Sequence, residues 1–439
     1  MRTGNFCREP REPSRTYGLL PRILSYGLLI SLLLITSASP LSAFDWGLQL
    51  NQTLDAEGVT DESNDILYSA SLIPWLSTPL GPAGSKAGKL YLSAGISILY
   101  TSEYTDKTTF FVPELLRTEF SWRTGAGHEI RLGRMLYSDP LGFIASGLFD
   151  GARFSFAVKN NTLGAGVWYT GLLYKRNAII TMKNDELLSY HQELDYKNFG
   201  NTYFAPRRLM AAFDWENPYL APWLRLKASL IGQFDLSGSD ELYHSQYLAL
   251  RASIPVHSFL FDLGGCFGLA QNSGSNNVSL AGELGIGWAL PTRITDQLKL
   301  SGRFTSGNHS TGTKDSSLAA FVPVTTVSQG DILKAKLSGL SMIRLEYTAR
   351  LHETFSFNLA SSYFILSDSE TYQGFSEVSS AKLDGRFLGN EFSGRLVWSP
   401  FSDLQFYLGG GIFLPVMGNA ASGSGALWRI ELNAALAIF

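Results

Sequence analysis

The chain has 439 residues, a formal net charge of −3, 45 % hydrophobic and 17 % charged residues. Beyond residue 43 no stretch approaches 18 consecutive apolar residues, which excludes a helical membrane protein. Only Cys266 remains in that part, so no intramolecular disulfide can form, and no metal cluster, phosphate-cradling loop or nucleic-acid motif stands out; no cofactor and no nucleic-acid partner is expected.

In chain order, Arg2, Arg8, Arg11, Arg15 and Arg22 precede an apolar run at residues 23–35, and Leu41, Ser42 and Ala43 follow it. A basic region, a short apolar core and a small residue at the cut describe a secretory signal peptide over 1–43; an N-terminal membrane anchor is the alternative. Cys7 lies before the apolar core, so it is no lipoprotein cysteine. Its five arginines and two glutamates leave with the leader, so the rest holds 30 basic and 36 acidic residues, a charge of −6.

From Phe44 onward the dominant signal is period two, the mark of strands. Phe44, Trp46, Leu48 and Leu50 alternate with Asp45, Gly47, Gln49 and Asn51. Further runs lie near 66–76, 90–100, 111–123 (with a slip at Leu115 and Leu116 that suggests a bulge), 129–132, 152–156 and 163–169. A long polar segment at 173–206 follows. The pattern resumes at 209–215, 224–234, 248–254, 259–269, 278–290 and 298–304, breaks over 305–336, and returns at 343–347, 355–365, 392–398 and 404–414. The last run sets Trp428, Ile430, Leu432, Ala434, Leu436 and Ile438 against Arg429, Glu431 and Asn433.

That terminal strand, ending on Phe439, resembles the C-terminal signal by which bacterial outer-membrane barrels are recognised for assembly. The resemblance implies outer-membrane localisation, contact with outer-membrane lipid and a partner in the barrel-assembly machinery. Phe439 departs from the pattern, because it falls in phase with Arg429 and Glu431 rather than with the apolar residues. The count is about eighteen strands. Connections after even strands are mostly short, such as 124–127, 159–161 and 399–403, and those after odd strands are mostly longer and polar. Short periplasmic turns and long outer loops are the habit of transmembrane barrels. The expected fold is all-β, a transmembrane antiparallel up-and-down β-barrel forming a single domain over 44–439, with no N-terminal segment to plug it. The rival is a soluble sandwich or propeller. Against it, Trp122, Tyr169, Trp215, Trp288, Trp398 and Trp428 sit near strand ends on the apolar faces, as in an interfacial aromatic girdle.

Function then has to be read from the opposite faces, which are rich in Gly, Ser and charge and suit a wet lumen. The expected pore-lining residues are Arg117, Glu119, Arg131, Arg153, Arg208, Arg225, Arg251, Arg303, Arg344, Glu346, Arg350, Glu391, Arg395, Arg429 and Glu431. With Arg123, Lys227, Lys299, Asp45, Glu129, Asp214, Asp262, Glu283 and Glu216 the inward face holds fourteen bases against ten acids. An excess of guanidinium forks suits carboxylate or phosphate, and charged rings set pore selectivity. The expectation is a porin- or export-type channel for polar anionic solutes. The alternative use of the same residues is to pair with one another and stiffen the wall.

Residues 133–156, GRMLYSDPLGFIASGLFDGARFSF, and 388–415, LGNEFSGRLVWSPFSDLQFYLGGGIFLP, resemble segments of alginate-export-type barrels. That resemblance implies an eighteen-stranded barrel passing an anionic polysaccharide, with Arg131, Arg134, Asp150, Arg153, Glu391 and Arg395 on the pore wall or rim. Other classes compete. A barrel hydrolase needs a nucleophile, a base and an orienting partner within reach. Of six histidines, only His309 with Ser310 slightly resembles such a site, so an enzyme is not expected. A fatty-acid-type transporter needs an N-terminal hatch for which a strand beginning at Phe44 leaves no room. A non-conducting structural or adhesive barrel remains open, since long outer loops can bind partners.

Overall fold

A computed structural model describes residues 44–438 apart from 61–63, 81–87, 102–107, 184–185, 187–193, 239–241, 273–274, 309–317, 369–384 and 422–423. The expected leader, His191, the His309–Ser310 pair and Phe439 with its phase lie outside the described residues.

Eighteen strands form one sheet. They are β1 (Asp45–Val59), β2 (Asn64–Leu80), β3 (Gly88–Thr101), β4 (Thr108–Arg123), β5 (Glu129–Ser138), β6 (Ser146–Val158), β7 (Asn161–Tyr169), β8 (Arg208–Ala221), β9 (Leu224–Asp235), β10 (Tyr243–Val256), β11 (Phe259–Asn272), β12 (Ser275–Ala289), β13 (Thr295–Thr305), β14 (Leu340–His352), β15 (Phe355–Leu366), β16 (Phe387–Phe401), β17 (Leu404–Leu414) and β18 (Leu427–Ile438). Each pairs antiparallel with the next, and β18 pairs antiparallel with β1, so the sheet closes on itself. Closure removes the unpaired edges that neither water nor lipid would tolerate.

The alternation sets the faces. Leu263, Leu284 and Leu345 are 50 %, 58 % and 46 % exposed on the outside of the wall, while Asp262, Glu283 and Arg344 next to them are paired inside it. Exposed apolar side chains on a closed barrel belong to a lipid-facing band. Trp46, Tyr219, Trp223, Trp288, Trp398 and Phe401 are exposed near the short-turn rim, where amphipathic rings favour the interface. The phase slip near Leu115 is a bulge: Ser93 opposes Arg117 and Ala94 opposes Leu115, leaving Leu116 as the extra residue.

Three features differ from the sequence expectation. Strand β1 continues past Asn51 to Val59 and brings Asp55 and Glu57 to the interior. Strand β8 runs on to Ala221 through an irregular register, where Asn217 accepts the Tyr219 N–H at 3.0 Å and stands in for the missing pairing. The third is the lumen, which is not wet throughout. On the long-loop half, Met135, Tyr137, Phe149, Trp168, Met210, Ile231 and Tyr247 are buried against Leu141, Phe143, Ile144, Phe321 and Val324. A second cluster joins Ile332, Leu333, Leu340, Phe364, Leu388 and Phe413. Period two assigns a side chain to a face but says nothing about what fills the space before it. Here loops fill it.

Candidate functional site: the narrowed interior

The connection between β5 and β6, residues 139–145, folds into the barrel. Asp139 organises it. Its Oδ1 accepts the N–H groups of Leu141 (2.8 Å) and Gly142 (3.0 Å), and its Oδ2 those of Ile144 and Ala145 (both 2.9 Å). Burial pushes the Asp139 carboxyl above its ordinary range while the four N–H groups pull it back. The loop then reaches the opposite wall. Arg251 of β10 donates to the Pro140 carbonyl at 3.3 Å, and the Arg303 guanidinium of β13 lies 4.7 Å from the centre of the Phe143 ring. Gly264 of β11 makes room for it, because a Cβ there would come within 2.5 Å of Leu141.

Two more long connections knit onto this bridge. The Ile144 carbonyl accepts from Val324 (2.8 Å) and Thr325 (3.1 Å) in the β13–β14 connection, and that segment exchanges backbone bonds with Ile179 and Thr181 in the β7–β8 connection. Tyr247 donates to the Val322 carbonyl at 2.5 Å. Further along, Glu391 is fully buried and accepts the N–H groups of Asp331 (2.7 Å), Ile332 (3.0 Å) and Leu333 (2.9 Å). Gly330 permits that turn, having a φ of +83° and no room for a Cβ beside Glu391.

Most of the expected pore residues are on the inner wall, and most are paired. Arg117 and Glu119 meet at 2.7 Å, with Arg117 stacked 5.0 Å from the Tyr91 centroid; Arg131 pairs with Glu129 at 3.1 Å and reaches Glu119 at 3.9 Å. Arg153 takes Asp214 (2.9 Å), Arg251 takes Asp262 (3.2 Å) and Arg303 takes Glu283 (2.5 Å). Arg344 joins Glu346 (3.0 Å) and Asp331 (2.9 Å); Arg395 also pairs with Asp331. Arg429 binds Asp55 (2.5 Å) and Glu431 (3.2 Å). Three residues stand elsewhere than expected. Arg208 is 1 % exposed, enclosed between Glu186 and Asp235 at 2.6 and 2.7 Å, so it anchors a loop instead of lining a pore. Glu391 is likewise a loop anchor. Arg350 sits at the short-turn rim, donating to the Glu353 carbonyl at 2.9 Å. Of the pair taken from the family resemblance, Arg134 is buried on Asp150 at 2.7 Å.

The short-turn half differs. A cavity of about 620 Å³ lies beneath the bridge, lined by Asp139, Arg153, Asp214, Arg225, Arg251 and Asp262 among others. Lys227 there pairs with Glu216 at 3.0 Å, both well exposed. Arg225, Lys299 and Arg350 make no ion pair among the described residues. Asp139 and Asp331 were missed as interior residues: the D-P-L-G turn signal at 139–142 was visible, but nothing local says that a loop turns inward. Among the described residues no group of three or more His, Cys, Asp or Glu is placed to hold a metal ion.

The closed antiparallel barrel of eighteen strands is the fold of solved outer-membrane porin structures. Several Pseudomonas aeruginosa proteins have this fold. OccK5 (OpdH) matches with 12 % identity over 92 % of this chain and 100 % of its own, at a TM-score of 0.56. OpdQ gives 10 %, 90 %, 99 % and 0.57, and the outer membrane protein OpdK gives 12 %, 90 %, 99 % and 0.56. No protein-family model matches the chain, and no curated protein does. The alginate-export resemblance finds no support among these structures, which are of the OprD/Occ kind; the strand number is what the two groups share.

Proposed function

We propose that this chain is an outer-membrane channel for small polar solutes with a preference for anions. The observation that carries the reading is the division of the interior. Paired arginines line both halves, and the cavity half adds Arg225, Lys299 and Arg350, which have no acidic partner among the described residues. Inward loops at mid-barrel favour a small solute over a polymer, because a polysaccharide would have to thread three interlocked connections. The likeness to the Pseudomonas outer-membrane barrels supports the outer membrane as its location and transport as its task, and it speaks against an enzyme. The test is single-channel recording in planar bilayers with asymmetric KCl. A reversal potential of anion sign supports the reading, and a cation sign overturns the preference.

One observation favours a second reading. The buried apolar cluster between loops and wall is what a permanently closed, structural or adhesive barrel would hold. Silence of properly folded protein in the same recordings would decide for it.

A further inference from the structure

The wall is not laddered equally everywhere. Strands β4 and β5 pair only from Arg123 against Glu129 to Thr118 against Arg134. Towards the long loops β4 runs on in register with β3, and β5 in register with β6. Between them no further pairing exists among the described residues. Three local features part the two strands. Leu116 is the extra residue of the bulge, which bends β4. Pro113 has no N–H to donate, and within sheets proline is confined to edges and bulges. Gly133, with a φ of +102°, lies so close to the Thr118 carbonyl at the apex that a Cβ has no room.

The β7–β8 connection closes this seam with side chains in place of a ladder. Backbone groups alternate sides along a strand, and the β4 carbonyls on the open side are those of Leu115, Pro113 and Phe111. Arg134 donates to the first, the Tyr203 hydroxyl to the second at 2.9 Å, and the Tyr196 hydroxyl to the third. Tyr203 packs on Phe199 and Tyr174, with ring centres 4.4 and 4.9 Å away, and covers Val112. Phe111, Leu115, Leu136, Leu172 and Tyr196 around the seam are each at least 43 % exposed, so it lies in the lipid-facing band. Lipid tolerates no unsatisfied backbone group, which is why every carbonyl on the open side has a cap. Two of the caps, however, are tyrosines on a loop, and they can be withdrawn without breaking a strand pair.

We propose that the β4–β5 seam is a lateral port, through which a single-chain amphiphile passes between the lumen and the outer leaflet when Tyr196 and Tyr203 release β4. The mid-barrel bridge obstructs a long apolar tail on the axial route, and the seam offers it a side route. The port needs an outer-membrane barrel and not a conducting lumen, so silence in bilayer recordings leaves it standing. The test uses Val112→Cys in the full chain, reconstituted in phosphatidylcholine vesicles, with a dodecyl maleimide dissolved in the bilayer as the probe. Labelled peptides are read by mass spectrometry. Cys266 is the internal reference, as buried as Val112 at 4 % but behind a wall laddered on both sides. The probe labels position 112 faster than Cys266, and adding Tyr196→Phe with Tyr203→Phe raises that rate about tenfold through the loss of two hydrogen bonds. A sulfonated maleimide confined to water gains nothing from the tyrosine changes. Equal labelling of the two thiols overturns the port, as does a rate indifferent to the tyrosines. A parallel gain for the sulfonated reagent, or at Cys266, also overturns it, because the loop or the barrel has then simply come loose.

Discussion

The two halves of the barrel interior are built from the same alternating strands and use them oppositely. Towards the long loops, inward positions are apolar or carry charges already consumed: Arg208 lies between Glu186 and Asp235, Glu391 beneath three N–H groups, Asp139 within its own turn. Towards the short turns, inward charges border an open cavity; Arg153 and Arg251 keep the partners Asp214 and Asp262 there, while Arg225, Lys299 and Arg350 have no acidic partner among the described residues. A buried charge without partners costs far more than a hydrated one, so each charge in the outer half comes with its partners in place. The outer half is a packed domain interior enclosed by a barrel, and the inner half holds an open cavity lined by charged residues. Stability is expected to depend on the first and selectivity on the second.

The largest break in that comparison should come from the bridge itself. Phe143 is 1 % exposed against Phe321 and Arg303, and Phe143→Ala is expected to cost about 3–5 kcal/mol, read as a lowered urea midpoint of the folded barrel. A cost near zero would mean that the loop is an ornament on the wall. The lipid face comes next. Leu263→Arg should cost about 2–4 kcal/mol near the midplane, while Asp262→Asn, which loses an ion pair to Arg251 facing the cavity, should cost less than about 1 kcal/mol. Equal losses of heat-resistant folding would show the faces to be misassigned.

A smaller effect separates the halves by pH. Burial alone would raise the Asp331 carboxyl, but Arg344, Ser393 and Arg395 outweigh it and hold it below its ordinary range. Arg429, Lys334, Glu391 and Glu431 are the other charged groups around it. Because its folded value is depressed, the contribution of Asp331 is complete above the unfolded value near 3.9 and is lost as pH falls through the folded one. Protection of the β13–β14 connection from pepsin should thus stay flat down to about pH 4 and fall only in stronger acid. Loss of protection already at pH 6 would contradict the pairing. The smallest change in stability is expected towards the short turns: Arg225→Glu with Arg350→Glu should shift stability by less than about 0.5 kcal/mol while moving the reversal potential towards cations. Unchanged selectivity would place the filter in the outer half.

Much of the wall was legible because a strand announces itself every second residue. Even the bulge showed, since Leu115 and Leu116 cannot both keep phase. The end of β1 did not, because the run Leu54-Asp55-Ala56-Glu57-Gly58 reads as a polar loop until Arg429 and Lys334 are seen opposite its acids. The inward loops were illegible for the same reason on a larger scale. Asp139 and Asp331 owe their positions to Gly264, Arg303, Glu391 and Arg344, far away in the chain, and no local period records such contacts. Most of the expected basic residues lie on the inner wall, but their freedom to meet a solute depends on acids legible in the wall itself, such as Asp214, Asp262 and Glu283, and on Asp55, Asp331 and Glu186, which are not.

The closing junction has a kinetic consequence. Seventeen of the eighteen junctions join neighbouring strands in the chain, whereas Asp55 and Arg429 clasp β1 to β18 across 374 positions. Until that clasp forms, the growing sheet is an open ribbon with two sticky borders, each a template for a foreign strand. Hairpins add one by one at modest entropic cost, and the final ring closure costs little more, since loop entropy grows only logarithmically with length. The hazard thus lasts as long as the chain takes to zip and ends in one event. A cut in any short turn, with the old ends joined, would move that event to a different pair of strands without changing the ring.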